Sequence, residues 1–499
     1  MKPLFLLSVL CLGLFSANAQ ADWLKEAINK TKQTINGWLS ATEQPLPALQ
    51  SAELEDYPTH YGFYREIEPL FNSPLFYLQT GLKSKPPILL IHGLGDAASK
   101  DWLNVIPELE KDYQVFALDL PGFGLSKGQY FEYSPHNYSL IIDWFIATKI
   151  QDKPILIGHS MGAAISLYYA ANFSTNIEQL VLVDAAGVLE RTSFIKHLAE
   201  LPETTVEGPL IWSRVQSEIS NFSSKWVEKT GEFYDPTKLL QQNHALRQVM
   251  LAENPTMNAA LAMIDTDYSI LNYTNIPPTT LIWGEIDPIA PLRTGQALMA
   301  KLPSAELKII RDAGHVPMNS HTSQFNQILK PSLAKSMDNN QIDQTNSLAA
   351  NELLAVKPKR IASCKDDDTP LFEGNYHSIS LINCKFAELK NVQVNNFSSK
   401  DSIVTIATSQ IGNLSSIIQL DSSSITATAS KFFGKIVTNR TRLDLAAVSL
   451  YSNEDILVAK DTTKLVFSIS DAQSKYYQGS LHGYFSMSEG TLDKQLLSK

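Results

Sequence analysis

The pentapeptide Gly158-His159-Ser160-Met161-Gly162 sits where an apolar run, Ile155-Leu156-Ile157, gives way to small and apolar residues from Ala163 to Ala171. This order predicts a strand, a sharp turn and a helix, with Ser160 at the turn. So tight a turn holds its central residue in a strained backbone conformation. Glycines two positions to either side remove Cβ atoms that would clash there. The turn lifts the serine hydroxyl clear of the sheet, and the N-terminus of the following helix favours negative charge developing beside it.

The surroundings of this turn predict its fold. "PPILLIHG", "YQVFALDLPG", "PILIGHS", "IEQLVLVDAAG", "TTLIWGEID" and "AELKIIRDAGH" are short apolar runs ending in polar or glycine residues, between residues 60 and 330. Strands buried on both faces of a parallel sheet read this way. Their alternation with helical stretches implies an α/β domain with helices on both faces. Function in such sheets gathers at the carboxyl ends of the strands. Those ends carry His92, Asp119, Ser160, Asp184, Asp287 and His315. The rhythm breaks between about 188 and 275, where a helical cap insertion is expected.

At 499 residues the chain is long enough for two or three domains. Residues 331–362 are polar and lack a core pattern, so they are expected to form a linker. Residues 363–499 are rich in Ser, Thr and Asn with alternating β-branched residues. Loosely similar segments recur about every 20 residues, which suits coils of a right-handed parallel β-helix that bury their faces by stacking. An ordinary β-sandwich is the alternative for this smaller all-β domain.

Residues 1–21 read as a signal peptide. Lys2 precedes the apolar run "PLFLLSVLCLGLF", and "SANAQAD" offers small residues for cleavage after Ala19 or Ala21. The protein is therefore expected in the periplasm, at the cell surface or secreted. Cleavage removes Cys11 and leaves Cys364 and Cys384, expected to pair as a disulfide in an oxidising compartment. Residues 22–40 have helical apolar spacing and are expected to dock on the protein's own core or rest on a membrane, within an extension reaching residue 59. The net charge of -10 argues against nucleic acid as a partner.

A serine hydroxyl needs a base within hydrogen-bond reach, and the base needs an orienting carboxylate. For a serine on such a turn the expected chain order is serine, acid, histidine. Asp287, just past the "TTLIWG" strand, is the best-placed acid, with Glu285 and Asp184 as alternatives. His315, past the next strand, is the expected base, ahead of His321. His92 and His159 are expected to position their neighbours rather than transfer protons. A tetrahedral intermediate needs two N–H donors. Met161 and Leu94 are the expected pair, with Gly93 as the alternative to Leu94. No metal or organic cofactor is required.

With "HGLGD", "DLPGFGLS", "GHSMG", "WGEIDP" and "GHVPM" in this order, residues 60–330 resemble the α/β-hydrolase superfamily in its serine-nucleophile branch. In that superfamily an aspartate at the nucleophile position marks haloalkane dehalogenases and epoxide hydrolases, and Ser160 disfavours both. By the same resemblance Asp119 is structural rather than catalytic. Residues 363–499 resemble pectate-lyase-like β-helices in periodicity alone.

The expectation is an exported serine hydrolase of the lipase or carboxylesterase type. Its substrate would be a small-molecule or lipid ester, and the reaction would pass through an acyl-enzyme. Lactones, amides and carbon–carbon bonds are alternative substrates for the same residues. In the rival reading the hydrolase is subordinate to residues 363–499, binding polysaccharide or an envelope surface.

Overall fold

In the computed structural model of the protein, all six apolar runs are strands of one sheet. The structure describes residues 46–128, 133–190, 255–334, 360–366 and 369–497. The expected signal peptide, the 22–40 helix, the cap between 191 and 254 and the linker between 335 and 359 lie outside the described residues.

The sheet has eight strands: β1 (Gly62–Glu68), β2 (Ser73–Thr80), β3 (Pro87–Ile91), β4 (Gln114–Asp119), β5 (Ile155–His159), β6 (Gln179–Val183), β7 (Thr279–Gly284) and β8 (Ala305–Ile310). Their order is β1-β2-β4-β3-β5-β6-β7-β8. From β4 to β8 all neighbours are parallel. The β1–β2 hairpin joins β4 antiparallel. At its turn the buried Glu68 carboxylate accepts hydrogen bonds from the Leu70, Phe71 and Ser73 amides, which satisfies a charge that would otherwise be costly to bury. Strands β3, β5, β6 and β7 are buried along their whole length, as their continuous apolar sequences require.

Two apolar layers cover the sheet. One packs α1 (Pro135–Phe145), α2 (Met161–Asn172), α3 (Pro255–Ile264) and α4 (Leu292–Lys301) around Phe116, Phe145, Leu156, Tyr169 and Trp283. The other holds Trp102, Ile106, Leu109, Phe325, Leu329 and Leu333. The last three come from α5 (Thr322–Ala334), which runs into the stretch expected as a linker from residue 331. Burial of Leu329 and Leu333 on the core carries the helix past Pro331.

Residues 361–491 form an all-β domain whose thirteen strands stack mainly parallel, followed by a short helix at Leu492–Leu497. Inward residues line up in columns from one stretch of chain to the next. Leu389, Ile406, Ala427, Leu445 and Phe467 pair in succession. Val394, Ile411, Phe432, Leu450 and Ala472 make a second column. A third contains Ile418, Ile436 and Leu457. All are buried in one cluster. Cys364 and Cys384 are joined as a disulfide across a separation of 20 residues.

The two domains share a core. Ala446, Ala447 and Ile469 of the β-domain belong to the same apolar cluster as α2 and α4. Ser468 Oγ accepts the Glu190 amide, 2.8 Å away, at the entry to the cap. At the cap's exit, His482 Nδ1 lies 3.7 Å from Asp267 Oδ1. Lys301 Nζ reaches Asp471 Oδ2 at 2.5 Å. The β-domain thus meets the chain on both sides of residues 191–254.

Candidate active site

The strand-to-helix turn predicted at Ser160 is present, and Ser160 takes φ 52° and ψ -117°. A positive φ is costly for a residue with a Cβ, and such strain persists where surrounding structure fixes it. Here the Ser160 amide donates to the Val183 carbonyl, and the Ser160 carbonyl accepts from Ala163, Ala164 and Ala186. The flanking glycines are sterically required. A Cβ on Gly158 would lie 2.4 Å from the Gly162 carbonyl oxygen, and one on Gly162 would lie 2.4 Å from those of Ile91 and His92.

Ser160, His315 and Asp287 are brought together in a hydrogen-bonded chain. His315 Nε2 lies 2.8 Å from Ser160 Oγ. His315 Nδ1 lies 2.8 Å from Asp287 Oδ2. The other carboxylate oxygen of Asp287 accepts the Ile289 and Ala290 amides at 2.7 and 3.0 Å, so the acid is fixed from both sides. All three residues are buried. This geometry suits proton transfer from serine to an oriented imidazole.

The alternative acids and base lie elsewhere. Glu285 is exposed and accepts the Asp312 amide. His321 meets the Ser320 hydroxyl. Asp184 follows β6 and accepts the Gly284 amide through Oδ1 at 2.8 Å. Its Oδ2 is buried without a donor. Burial, then the negative charge of Asp287, holds the Asp184 carboxyl well above the usual carboxylate range.

His159 and His92 are framework groups. His159 Nε2 donates to the His315 carbonyl at 2.7 Å, and burial lowers its pKa to about 3. His92 Nε2 accepts the Leu120 amide at 2.9 Å while Nδ1 donates to the Gly93 carbonyl. Burial lowers the His92 pKa to about 4. Asp119 accepts the Ser99 and Leu125 amides and, pushed up by burial to about 6, ties two loops together.

The loop after β3 crosses the nucleophile, since a Cβ on Gly93 would stand 3.1 Å from Ser160 Cβ. Leu94 follows on that loop, and Met161 opens α2, where helix geometry leaves its N–H without an intrahelical acceptor. Neither amide has a hydrogen-bond partner among the described residues. Leu94 and Met161 belong, with Val188, Leu189, Met263 and Ile289, to the extended apolar cluster that covers this face of the sheet.

One charged neighbour escaped the sequence reading. Asp101, in the turn Ala98–Trp102, is electrostatically coupled to His315, and burial raises its carboxyl to about 6. No motif marks it, because its place depends on how the loop after β3 folds back.

The described residues contain no cluster of metal-ligating side chains. A family model described as the alpha/beta hydrolase fold matches residues 86–322. Monoacylglycerol lipase ABHD6 of Mus musculus is 30% identical over 246 residues, covering 46% of this chain and 70% of that protein. Lipase 1 of Psychrobacter immobilis is 29% identical over 254 residues, covering 49% of this chain and 75% of that protein. An uncharacterized protein of Mycobacterium bovis is 27% identical over 261 residues, covering 50% of this chain and 75% of its own length.

Proposed function

The chain belongs to the alpha/beta hydrolase fold family, and we propose that within it this protein is an exported serine hydrolase of carboxylic esters. The observation that carries this reading is the unbroken chain from Asp287 through His315 to Ser160, with both links at 2.8 Å. His315 takes the serine proton as Ser160 Oγ attacks the ester carbonyl. The Met161 and Leu94 amides hold the oxyanion, and His315 then protonates the leaving alcohol. Water activated by the same imidazole releases the acid from the acyl-enzyme. Asp287 keeps the imidazole in the required tautomer and stabilises its charged form.

The apolar side chains of Met161, next to the serine, and Leu94, on the loop that crosses it, support an acyl chain as the group bound beside the serine. The names of the lipase relatives agree with that choice. Export is the reading that the N-terminal sequence supports, and the Cys364–Cys384 bond accords with it. The stacked columns of residues 361–497 are read as a parallel β-helix serving as a fixed companion of the hydrolase, because it shares the hydrolase core.

The test is labelling of the protein with a fluorophosphonate probe, followed by peptide mapping and a panel of p-nitrophenyl esters of graded chain length. Modification of Ser160, abolished by His315→Ala, with turnover of esters, is the expected result. A folded protein that takes up no probe and turns over no ester overturns the reading.

A further inference from the structure

The outer face of one parallel ladder in the β-domain changes character along its strands. Inward positions Val404, Ile425, Leu443 and Leu465 are buried. Their neighbours Ile403, Ser424, Arg442 and Lys464 therefore point outward, by the alternation of a strand. These four pair in register, one per strand. Further along the same outer face, Thr428, Asp444 and Ser468 hold the hydrolase domain through Arg293 and Glu190. Where that contact ends, Ile403, Ser424, Arg442 and Lys464 join Asp401, Ser422, Arg440 and Thr462 in lining an open groove of about 610 Å³.

The groove is cationic on an acidic protein. Arg440, Arg442 and Lys464 have no acidic partner among the described residues, and Asp401 is the one acid in the lining. Arg442 and Lys464 stand directly opposite each other on neighbouring strands about 4.8 Å apart, a like-charge pairing that costs stability unless an anion bridges it. The charge does not repeat along the ladder. Beyond Ser424 comes Ile403, 53% exposed, and beside it Phe386, 44% exposed, which precedes the Ala387–Val404 pair. The row therefore runs from two cations through a hydroxyl to an aliphatic and an aromatic side chain.

We propose that this groove is a docking surface for anionic lipid. Phosphate oxygens sit between Arg442, Lys464 and Arg440 with a hydroxyl donor from Ser424, while Ile403 and Phe386 enter the acyl boundary. An evenly charged polyanion would meet cations at one end of the row and apolar side chains at the other. An amphiphile with one acidic headgroup matches both ends. Because the same outer face grips the hydrolase, lipid held here lies alongside the domain junction.

The test is vesicle flotation of the full chain with phosphatidylcholine alone and with equal parts of phosphatidylcholine and phosphatidylglycerol. Binding to the anionic vesicles is expected to exceed binding to neutral ones, and to fall at least about tenfold in the Arg442→Glu/Lys464→Glu variant. Ile403→Asp is expected to weaken the same binding. Arg442→Gln/Lys464→Gln repeats the test without reversing charge, and melting temperature reports folding. Residues 22–40 are common to all these proteins, so their contribution cancels. Equal vesicle binding by parent and charge variants overturns the proposal. So does full displacement by millimolar inorganic phosphate, which marks a free-phosphate site, or preferential binding of polygalacturonate, which marks an acidic glycan site. The readout is binding, so it stands or falls separately from ester turnover.

Discussion

Arg293, at the start of α4, places its guanidinium 2.8 Å from Asp444 of the β-domain. Its remaining donors reach Thr428 Oγ1 and the carbonyls of Ala427 and Asp444. Both side chains are largely buried, at 18% and 9% exposure. Truncating one partner of such a pair leaves the other charge buried and uncompensated. Arg293→Ala is therefore expected to cost about 3 kcal/mol in thermal or denaturant unfolding. Asp444→Ala in the same protein should restore part of it, and a double-mutant cycle checks the coupling. Activity should fall as well, because α4 follows the loop whose Ile289 and Ala290 amides fix Asp287.

Asp184 and Asp287 are expected to respond oppositely to loss of charge. Asp287→Asn denies His315 its acceptor and should cost about ten-thousand-fold in kcat. Burial already biases the Asp184 carboxyl toward its neutral form, so Asp184→Asn should leave kcat within several-fold of the parent. The stability effect has a definite sign. A folded pKa raised above the unfolded value means the native state binds more protons in the window between them, so stability falls as pH rises through it. Asparagine does not titrate. Asp184→Asn should gain stability over the parent as pH rises above the ordinary carboxylate range, and the gain should vanish below that range. Urea melts across that range decide the matter, and a stability difference that does not change with pH would speak against a raised Asp184 pKa.

Much of the site was legible because it depends on local rules. The glycines around Ser160 record a steric demand now visible as close approaches to the carbonyls of Ile91, His92 and Gly162. The apolar runs record burial on both faces. The choice among Asp184, Glu285 and Asp287 was harder, since each ends or follows a strand and only the path of one loop points Asp287 at His315. The β1–β2 hairpin was missed because β1 is mostly half-exposed and carries no continuous apolar run. Least legible was the domain contact. Arg293 and Asp444 are 151 residues apart, and no local periodicity announces that a charged pair will meet across a packed seam.

The disulfide should matter to the β-domain and not to chemistry. Cys364 and Cys384 close a separation of 20 residues at the domain's first strands, far in sequence from Ser160. Removing a link of that loop length is expected to cost about 3 kcal/mol. Cys364→Ser/Cys384→Ser should lower the unfolding midpoint while the remaining folded protein keeps the parent's kcat, measured well below that midpoint.

The two buried framework histidines predict an acid limit. His92 is lowered by burial to about 4 and His159 to about 3, from an ordinary value of 6.5. Below 6.5 the unfolded chain takes up protons that the folded protein refuses, so stability present above 6.5 is lost as pH falls toward 4. Each histidine accounts for about 3 kcal/mol across that span. The slope of unfolding free energy against pH between 6 and 4.5 should therefore include close to one proton per histidine. His92→Asn should remove one such contribution, although it also loses the link between the Leu120 amide and the Gly93 carbonyl and so lowers stability at pH 7. The discriminating quantity is the slope, read from urea melts at several pH values. An unchanged slope in His92→Asn would mean that His92 is protonated in the folded protein, and the neutral ring assigned between Leu120 and Gly93 would be wrong.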